Sequence, residues 1–225
     1  MIIAIDGPAG SGKSTVAKLI AKELGFMYLD TGAMYRAITY KALRSGVSVD
    51  DASACAKISA EEPITFATEP GQALPTAVYI SGEDITKEIR TAEVDANVSV
   101  CCAHPAVREL LVEQQRRIGA NQNIVAEGRD VGTTVFPNAE VKFFLTASVD
   151  ARAQRRTEQN IARGNGNTNF EEIKASIIAR DEYDSNREVS PLRPAEDAIY
   201  YDTTDATIDE VVSRIVSCAR ERLNS

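Results

Sequence analysis

The sequence predicts an α/β protein, a doubly wound parallel sheet of five strands that carries a small antiparallel insert and a short lid-like excursion. Three observations support this. Five short apolar segments lack clean polar alternation, as strands buried on both faces do. Helical patterns separate them, so strand alternates with helix along most of the chain. The first apolar run passes directly into a glycine-rich turn and then into a helical pattern, the order of a parallel strand–turn–helix unit.

The strands are expected at IIAI (near 2–5), FMYL (near 26–29), NIVA (near 123–126), VKFFLT (141–146) and AIYY (near 198–201). Helices are expected over 13–24, 33–44, 92–118 with a break at Pro105, 150–162, 170–185 and 207–223. In the first helix Ala17, Ile20 and Leu24 share a face, and Gly25 follows as a stop signal. Between about 63 and 90, two strand-like pieces flank a Pro/Gly loop, which reads as an antiparallel insert rather than a crossover. Residues 163–169, RGNGNTN, are polar and glycine-rich between two Arg-bearing helices, the composition a hinged lid requires. No internal repeat or low-complexity tract interrupts this pattern. One domain is expected over 1–225, with a core of about 1–30, 119–150 and 186–225, a region with the insert at about 31–118, and a lid region at about 151–185.

At 225 residues, with 44% hydrophobic and 26% charged residues, the chain can bury a sizeable core. A net charge of −8 argues against nucleic acid or an anionic membrane as partner. The 25 basic residues comprise 17 Arg and 8 Lys. An acidic chain rich in Arg points to local anion sites, beyond those arginines that form surface ion pairs. The N-terminal apolar run breaks at Asp6 with no basic segment before it, and no stretch approaches the ~20 apolar residues of a membrane span. Cys55, Cys101, Cys102 and Cys218 show no CxxC spacing, so reduced thiols are expected and metal binding by them is not. The expectation is a soluble, cytoplasmic, monomeric protein.

The segment IDGPAGSGKST carries the chemistry. Gly7, Gly10 and Gly12 can adopt φ > 0 and turn backbone N–H groups toward one point, making an anion nest at the positive end of the following helix. Lys13 adds a mobile cation, and Ser14 or Thr15 offers a hydroxyl to Mg²⁺. The spacing Gly7-x4-Gly12-Lys13-Ser14 is that of the P-loop, so Gly7, Pro8, Ala9, Gly10, Ser11, Gly12, Lys13, Ser14 and Thr15 are expected to hold a nucleoside triphosphate. A dinucleotide fingerprint fits less well, because Thr15 stands where a third small glycine belongs.

Two further strands end in polar residues on the same rim. YLDTGAMYR brings Asp30 and Thr31, with Thr31 able to cap the next helix and Arg36 about one turn inside it. VAEGRDVG brings Glu127, Arg129 and Asp130. Arginines delivered to the mouth of a triphosphate site suggest a second anion, held as acceptor.

The segments IDGPAGSGKST, LDTGAMYRA, EIRTAEV, PAVRELL, AEGRDVGTTVFPNA, KFFLTAS, RDEYDSNR, PL and DTT, in this order, resemble the bacterial-type cytidylate kinases over essentially the whole chain. The resemblance implies ATP-dependent phosphorylation of CMP and dCMP with Mg²⁺, a P-loop NTPase-type sheet, and an NMP-binding insert. By matching position it implies that Thr31, Arg36, Arg129 and Arg187 hold the acceptor phosphate. It likewise implies that Ser99, Arg108 and Asp130 meet the cytosine, and that Arg180 and Asp184 meet the ribose. In QRRTEQNIARG it implies lid arginines, Arg155 and Arg156, acting with Lys13 and Arg129 in catalysis. Glu127 stands where many relatives have Asp, which keeps an acid beside the metal as an outer-shell group. Tyr183 and Ser185 stand where some have Arg, so the Arg cluster rests on Arg180 and Arg187.

The acceptor phosphate is already an anion at neutral pH, its second pKa being ~6. No strong general base is then required, which suits a chain whose one histidine, His104, sits at a helix break and reads as structural. A regulatory GTPase is disfavoured because TKEI at 86–89 lacks the Asp of a guanine-reading motif. A nucleotide-binding module without transferase chemistry leaves the Arg-bearing rim unexplained. UMP, shikimate and dephospho-coenzyme A kinases remain as alternatives; the last two share the P-loop without requiring GRD and RDEYDSNR together.

Overall fold

A computed structural model describes residues 1–68, 74–164 and 167–224; residues 69–73 of the insert loop and 165–166 of the expected lid lie outside the described residues. In chain order the strands are β1 (Ile2–Asp6), β2 (Met27–Asp30), β3 (Ile64–Ala67), β4 (Ala77–Ile80), β5 (Glu83–Asp84), β6 (Ile124–Gly128), β7 (Val141–Thr146) and β8 (Ile199–Asp202). The helices are α1 (Lys13–Leu24), α2 (Thr31–Arg44), α3 (Ala52–Glu61), α4 (Ala92–Ala103), α5 (Pro105–Gly119), α6 (Val149–Arg163), α7 (Phe170–Asn186) and α8 (Ile208–Leu223). The chain divides into two compact units, Met1–Leu29 with Gly119–Ser225, and Asp30–Ile118.

The first unit is built on the parallel sheet, ordered β2-β6-β1-β7-β8. Central β1 pairs with β6 and β7, placing Ala4 beside Ala126 and Ile5 beside Phe143. Ile3, Ile5, Ile124, Phe143 and Leu145 are all but fully buried, because β1, β6 and β7 are apolar on both faces. Each such side chain contributes roughly 1.5–3 kcal/mol on burial. The strand order reverses at β1, the kind of switch point at whose carboxyl ends open α/β sheets bind their ligands. α1 and α8 pack on each other, α1 also on β6 and α8 on β7. α6 and α7 pack through Ala153, Ile173 and Ile177. β8 departs from the expected burial on both faces: Tyr200 is 60% exposed, because β8 is the sheet edge, and its ring stacks on Phe144 at 5.6 Å.

In the second unit α2 packs on α3 and α4, and β3, β4 and β5 form the small antiparallel sheet. The insert has a third strand, the two-residue β5, where two were expected. Helix α3 was not expected at all; Asp51 caps it by accepting from Ala54 N at 2.9 Å. The break at Pro105 is present, and His104 beside it shares a 2.7 Å hydrogen bond with the Val49 carbonyl, a structural contact. All four cysteines are free thiols. Among the described residues no helix is long and apolar enough to cross a membrane.

Candidate active site

The loop between β1 and α1 has Gly7, Gly10 and Gly12 at φ 148, 78 and 88. Two of these positions admit no side chain: a Cβ on Gly7 would lie 1.9 Å from the Leu145 carbonyl oxygen, and one on Gly10 would lie 2.9 Å from that of Arg152. Gly12 is the N-cap of α1 and supplies no capping side chain, so the first amides of α1 are left for a ligand, as an anion-binding helix end requires. The Lys13 ammonium is folded onto the loop, donating to Pro8 O at 2.7 Å and to Ser11 Oγ at 3.3 Å. Burial, with Arg129 adding repulsion, pushes its pKa down to about 7.

Ser14 and Thr15 are exposed at the start of α1. Ser14 Oγ donates to Glu127 Oε1 at 2.5 Å, and Tyr28 OH donates to the same oxygen at 3.3 Å. The parallel register sets Glu127 beside Ile5, so the acid is delivered to the loop by its place at the end of β6. A hydroxyl and a carboxylate side by side are hard oxygen donors of the kind Mg²⁺ accepts alongside phosphate oxygens. Among the described residues no group of three or more His, Cys, Asp or Glu side chains is placed to hold a metal ion. Asp6, at the end of β1, accepts from Val131 N and Gly132 N at 2.7 Å each and so ties down the segment after Asp130.

Beside the loop lies a cavity of about 650 Å³, lined by Lys13, Ser14, Arg155, Arg156, Thr203 and Ile208 among others. Arg155 donates to Thr203 Oγ1 at 3.0 Å and Thr203 O at 2.5 Å, and Arg156 donates to Gln159 Oε1 at 3.2 Å. Arg155 and Arg156 of α6 therefore line the same cavity as Lys13, and the guanidinium of Arg155 is braced against the end of the sheet.

The remaining first-unit residues form a buried ionic cluster. Arg129 donates from Nε to Asp184 Oδ2 at 3.1 Å and from Nη1 to the Gly7 carbonyl at 3.1 Å. Arg180 lies 3.9 Å from the same carboxylate, and Arg187 Nη2 lies 3.5 Å from Asp130 Oδ1. Burial alone would raise the pKa of Asp184, but Arg129, Arg180 and Arg187 outweigh it and hold the carboxyl below its ordinary value. Arg129 thus touches the P-loop as well as the Asp184 carboxylate, a link the strand-end reading did not foresee.

In the second unit the cap of α2 is Asp30, whose Oδ1 accepts from Ala33 N at 2.9 Å; this corrects the expectation that Thr31 is the cap. Thr31 is instead the first, buried residue of the helix. Arg90 donates to Asp30 Oδ2 at 2.6 Å, and Arg36 donates to Ile89 O at 3.0 Å and to Asp95. Arg108 donates to Cys102 O at 3.2 Å and lies over the Tyr35 ring at 5.1 Å, while Ser99 is half-buried on α4. Sequence reasoning missed Arg90, although EIRTAEV contains it, and missed Asp6, whose only signal was a carboxylate ending an apolar strand.

The family model described as cytidylate kinase matches residues 3–221. The chain belongs to the cytidylate kinase family. A cytidylate kinase of Geobacillus sp. (strain WCH70) is 51% identical over 98% of this chain and 97% of its own length. One from Streptococcus pneumoniae (strain 70585) is 52% identical over 98% of each. One from Ligilactobacillus salivarius (strain UCC118) is 51% identical over 98% of this chain and 96% of its own. As a member of the cytidylate kinase family the chain is a kinase, a phosphotransferase.

Proposed function

We propose that the chain transfers the terminal phosphoryl group of ATP to CMP and dCMP, giving ADP and CDP or dCDP, with Mg²⁺ accompanying ATP and a place in pyrimidine nucleotide metabolism. The observation that carries this reading is Arg129, which joins the P-loop carbonyl of Gly7 to a buried cluster of Asp184, Arg180, Arg187 and Asp130. A nucleotide-binding module without transfer chemistry has no use for such a cluster beside its triphosphate loop.

The acceptor arrives as an anion and needs no strong base, so the work of the site is to align two phosphates that repel each other and to neutralise the transferring group. Lys13, now resting on Pro8 O, is a cation free to exchange that carbonyl for a phosphate oxygen. Arg155 and Arg156, on the cavity wall, add charge from the other side. Ser14, with Glu127 behind it, would hold the Mg²⁺ brought with ATP, and the ion would supply positive charge to offset that of the phosphates. The residues assigned to the acceptor phosphate are Arg129 and Arg187 in the first unit and Thr31 and Arg36 in the second. Asp130 is assigned to the base with Ser99 and Arg108, because a carboxylate accepts from the cytosine N4 amino group and repels the uracil O4 carbonyl. Arg180 and Asp184 are assigned to the ribose.

Replacing Lys13 with Ala tests the donor half of this reading. With CMP as acceptor, coupled ADP release should fall by about 10²–10³ in kcat. Near-wild-type turnover in a folded Lys13→Ala protein would remove the loop from the chemistry.

A further inference from the structure

Each of three successive carbonyls of the phosphate-binding loop is held by a cation. The Gly7 oxygen accepts from Arg129 Nη1 at 3.1 Å, the Pro8 oxygen from Lys13 Nζ at 2.7 Å, and the Ala9 oxygen from Arg152 Nη1 at 3.1 Å. Carbonyl and N–H of a trans peptide point in opposite directions, so a cation that draws a carbonyl outward turns the following N–H toward the nest. The Ala9 carbonyl belongs to the peptide whose N–H is that of Gly10, and Gly10 sits at φ 78 directly against the Arg152 backbone.

Arg152 is 5% exposed and is used in three directions: Nε donates to Ala147 O at 3.0 Å, and Nη1 reaches both Ala9 O and Asp181 Oδ2. Asp181 lies on α7, three residues before Asp184, so the two carboxylates share a face of that helix. One grips Arg152 and the other grips Arg129, and each arginine holds a P-loop carbonyl. A buried guanidinium without its carboxylate is left uncompensated and turns toward other acceptors or water.

We propose that Arg152 and Asp181 are positioning residues of the phosphate-binding loop, holding the Ala9–Gly10 peptide so that its N–H faces the bound triphosphate. Neither residue touches substrate in this account; they act through the loop. The proposal rests on the reading of that loop as the ATP site, and it makes α7 a support for the donor loop in addition to the carrier of Arg180 and Asp184.

The test measures dissociation constants of ATP, inorganic tripolyphosphate and CMP, each alone, for wild type, Asp181→Ala, Asp181→Glu and Arg152→Lys. Asp181→Ala and Arg152→Lys should weaken ATP and tripolyphosphate by the same factor, about tenfold for the loss of one charge-assisted hydrogen bond. CMP should change by less than about threefold, and Asp181→Glu, which keeps the charge, should recover most of the loss. A residue that only stabilises the fold would weaken all three ligands together and would not distinguish the phosphates from CMP. If Asp181→Ala does not fold, Arg152→Lys carries the same comparison. Unchanged ATP and tripolyphosphate binding in a folded variant, or equal losses for ATP and CMP, would overturn the proposal. A wild-type protein that binds neither ATP nor tripolyphosphate would instead overturn the kinase reading beneath it.

Discussion

Asp6 ends β1 with both carboxylate oxygens engaged by backbone amides, Val131 N and Gly132 N, yet burial outweighs those bonds and pushes its pKa up to about 7. A carboxyl whose folded pKa is raised from 3.8 binds more protons folded than unfolded in the interval between. Its contribution to stability is therefore complete below about pH 4 and is lost as pH rises through about 7. Asp6→Asn removes this titration. The wild type should accordingly lose stability relative to Asp6→Asn as pH is raised from about 5 to about 8, read as the difference in Tm between the two proteins. A difference that stays flat, or grows in favour of the wild type, would show that Asp6 is ionised throughout. Glu127, Arg129 and Asp130 were legible because they end an apolar strand, where open α/β sheets bind their ligands. Arg152 was not, since ARAQRR offers three arginines and nothing in that string marks one as turned inward to Ala9 O while the other two face the cavity.

The turn from β1 into α1 shows how an element can be read from its breakers alone. Its glycines were predicted from spacing, and the reason for Gly10 is the closeness of α6, which no local pattern reveals. Gly10→Ala forces φ 78 on a residue with a side chain and drives a Cβ to 2.9 Å from the Arg152 carbonyl oxygen. Strain of this kind costs about 1–3 kcal/mol, so ATP should bind about 5- to 150-fold more weakly by calorimetry. Unaltered affinity would mean that the loop reaches its binding shape without that peptide geometry. Strands β1, β6 and β7 were legible as apolar runs because they are buried on both faces. Helix α3 escaped because only Cys55 and Ser59 in it are buried, which leaves no apolar stripe to follow; its cap, Asp51, was the available signal. β8 looked like a core strand because its apolar residues are those of one, and edge position depends on strand order, which sequence does not state.

Taken as a whole molecule, an acidic chain of net charge −8 gathers Lys13, Arg129, Arg152, Arg155, Arg156, Arg180 and Arg187 around one loop and its neighbouring helices. That concentration explains the excess of Arg over Lys better than scattered surface pairs do, since guanidinium forks suit phosphates and buried carboxylates. The P-loop by itself is common to kinases with many acceptors, so the identity of the acceptor lies in the residues that read the base. The measurement that bears on this most directly is ADP release by the purified wild type with CMP, dCMP, UMP and AMP in turn as acceptor. kcat/KM for CMP and for dCMP should exceed that for UMP and for AMP by at least about tenfold, the discrimination of a single well-placed base contact. UMP or AMP used as well as CMP would mean that this site does not select cytosine.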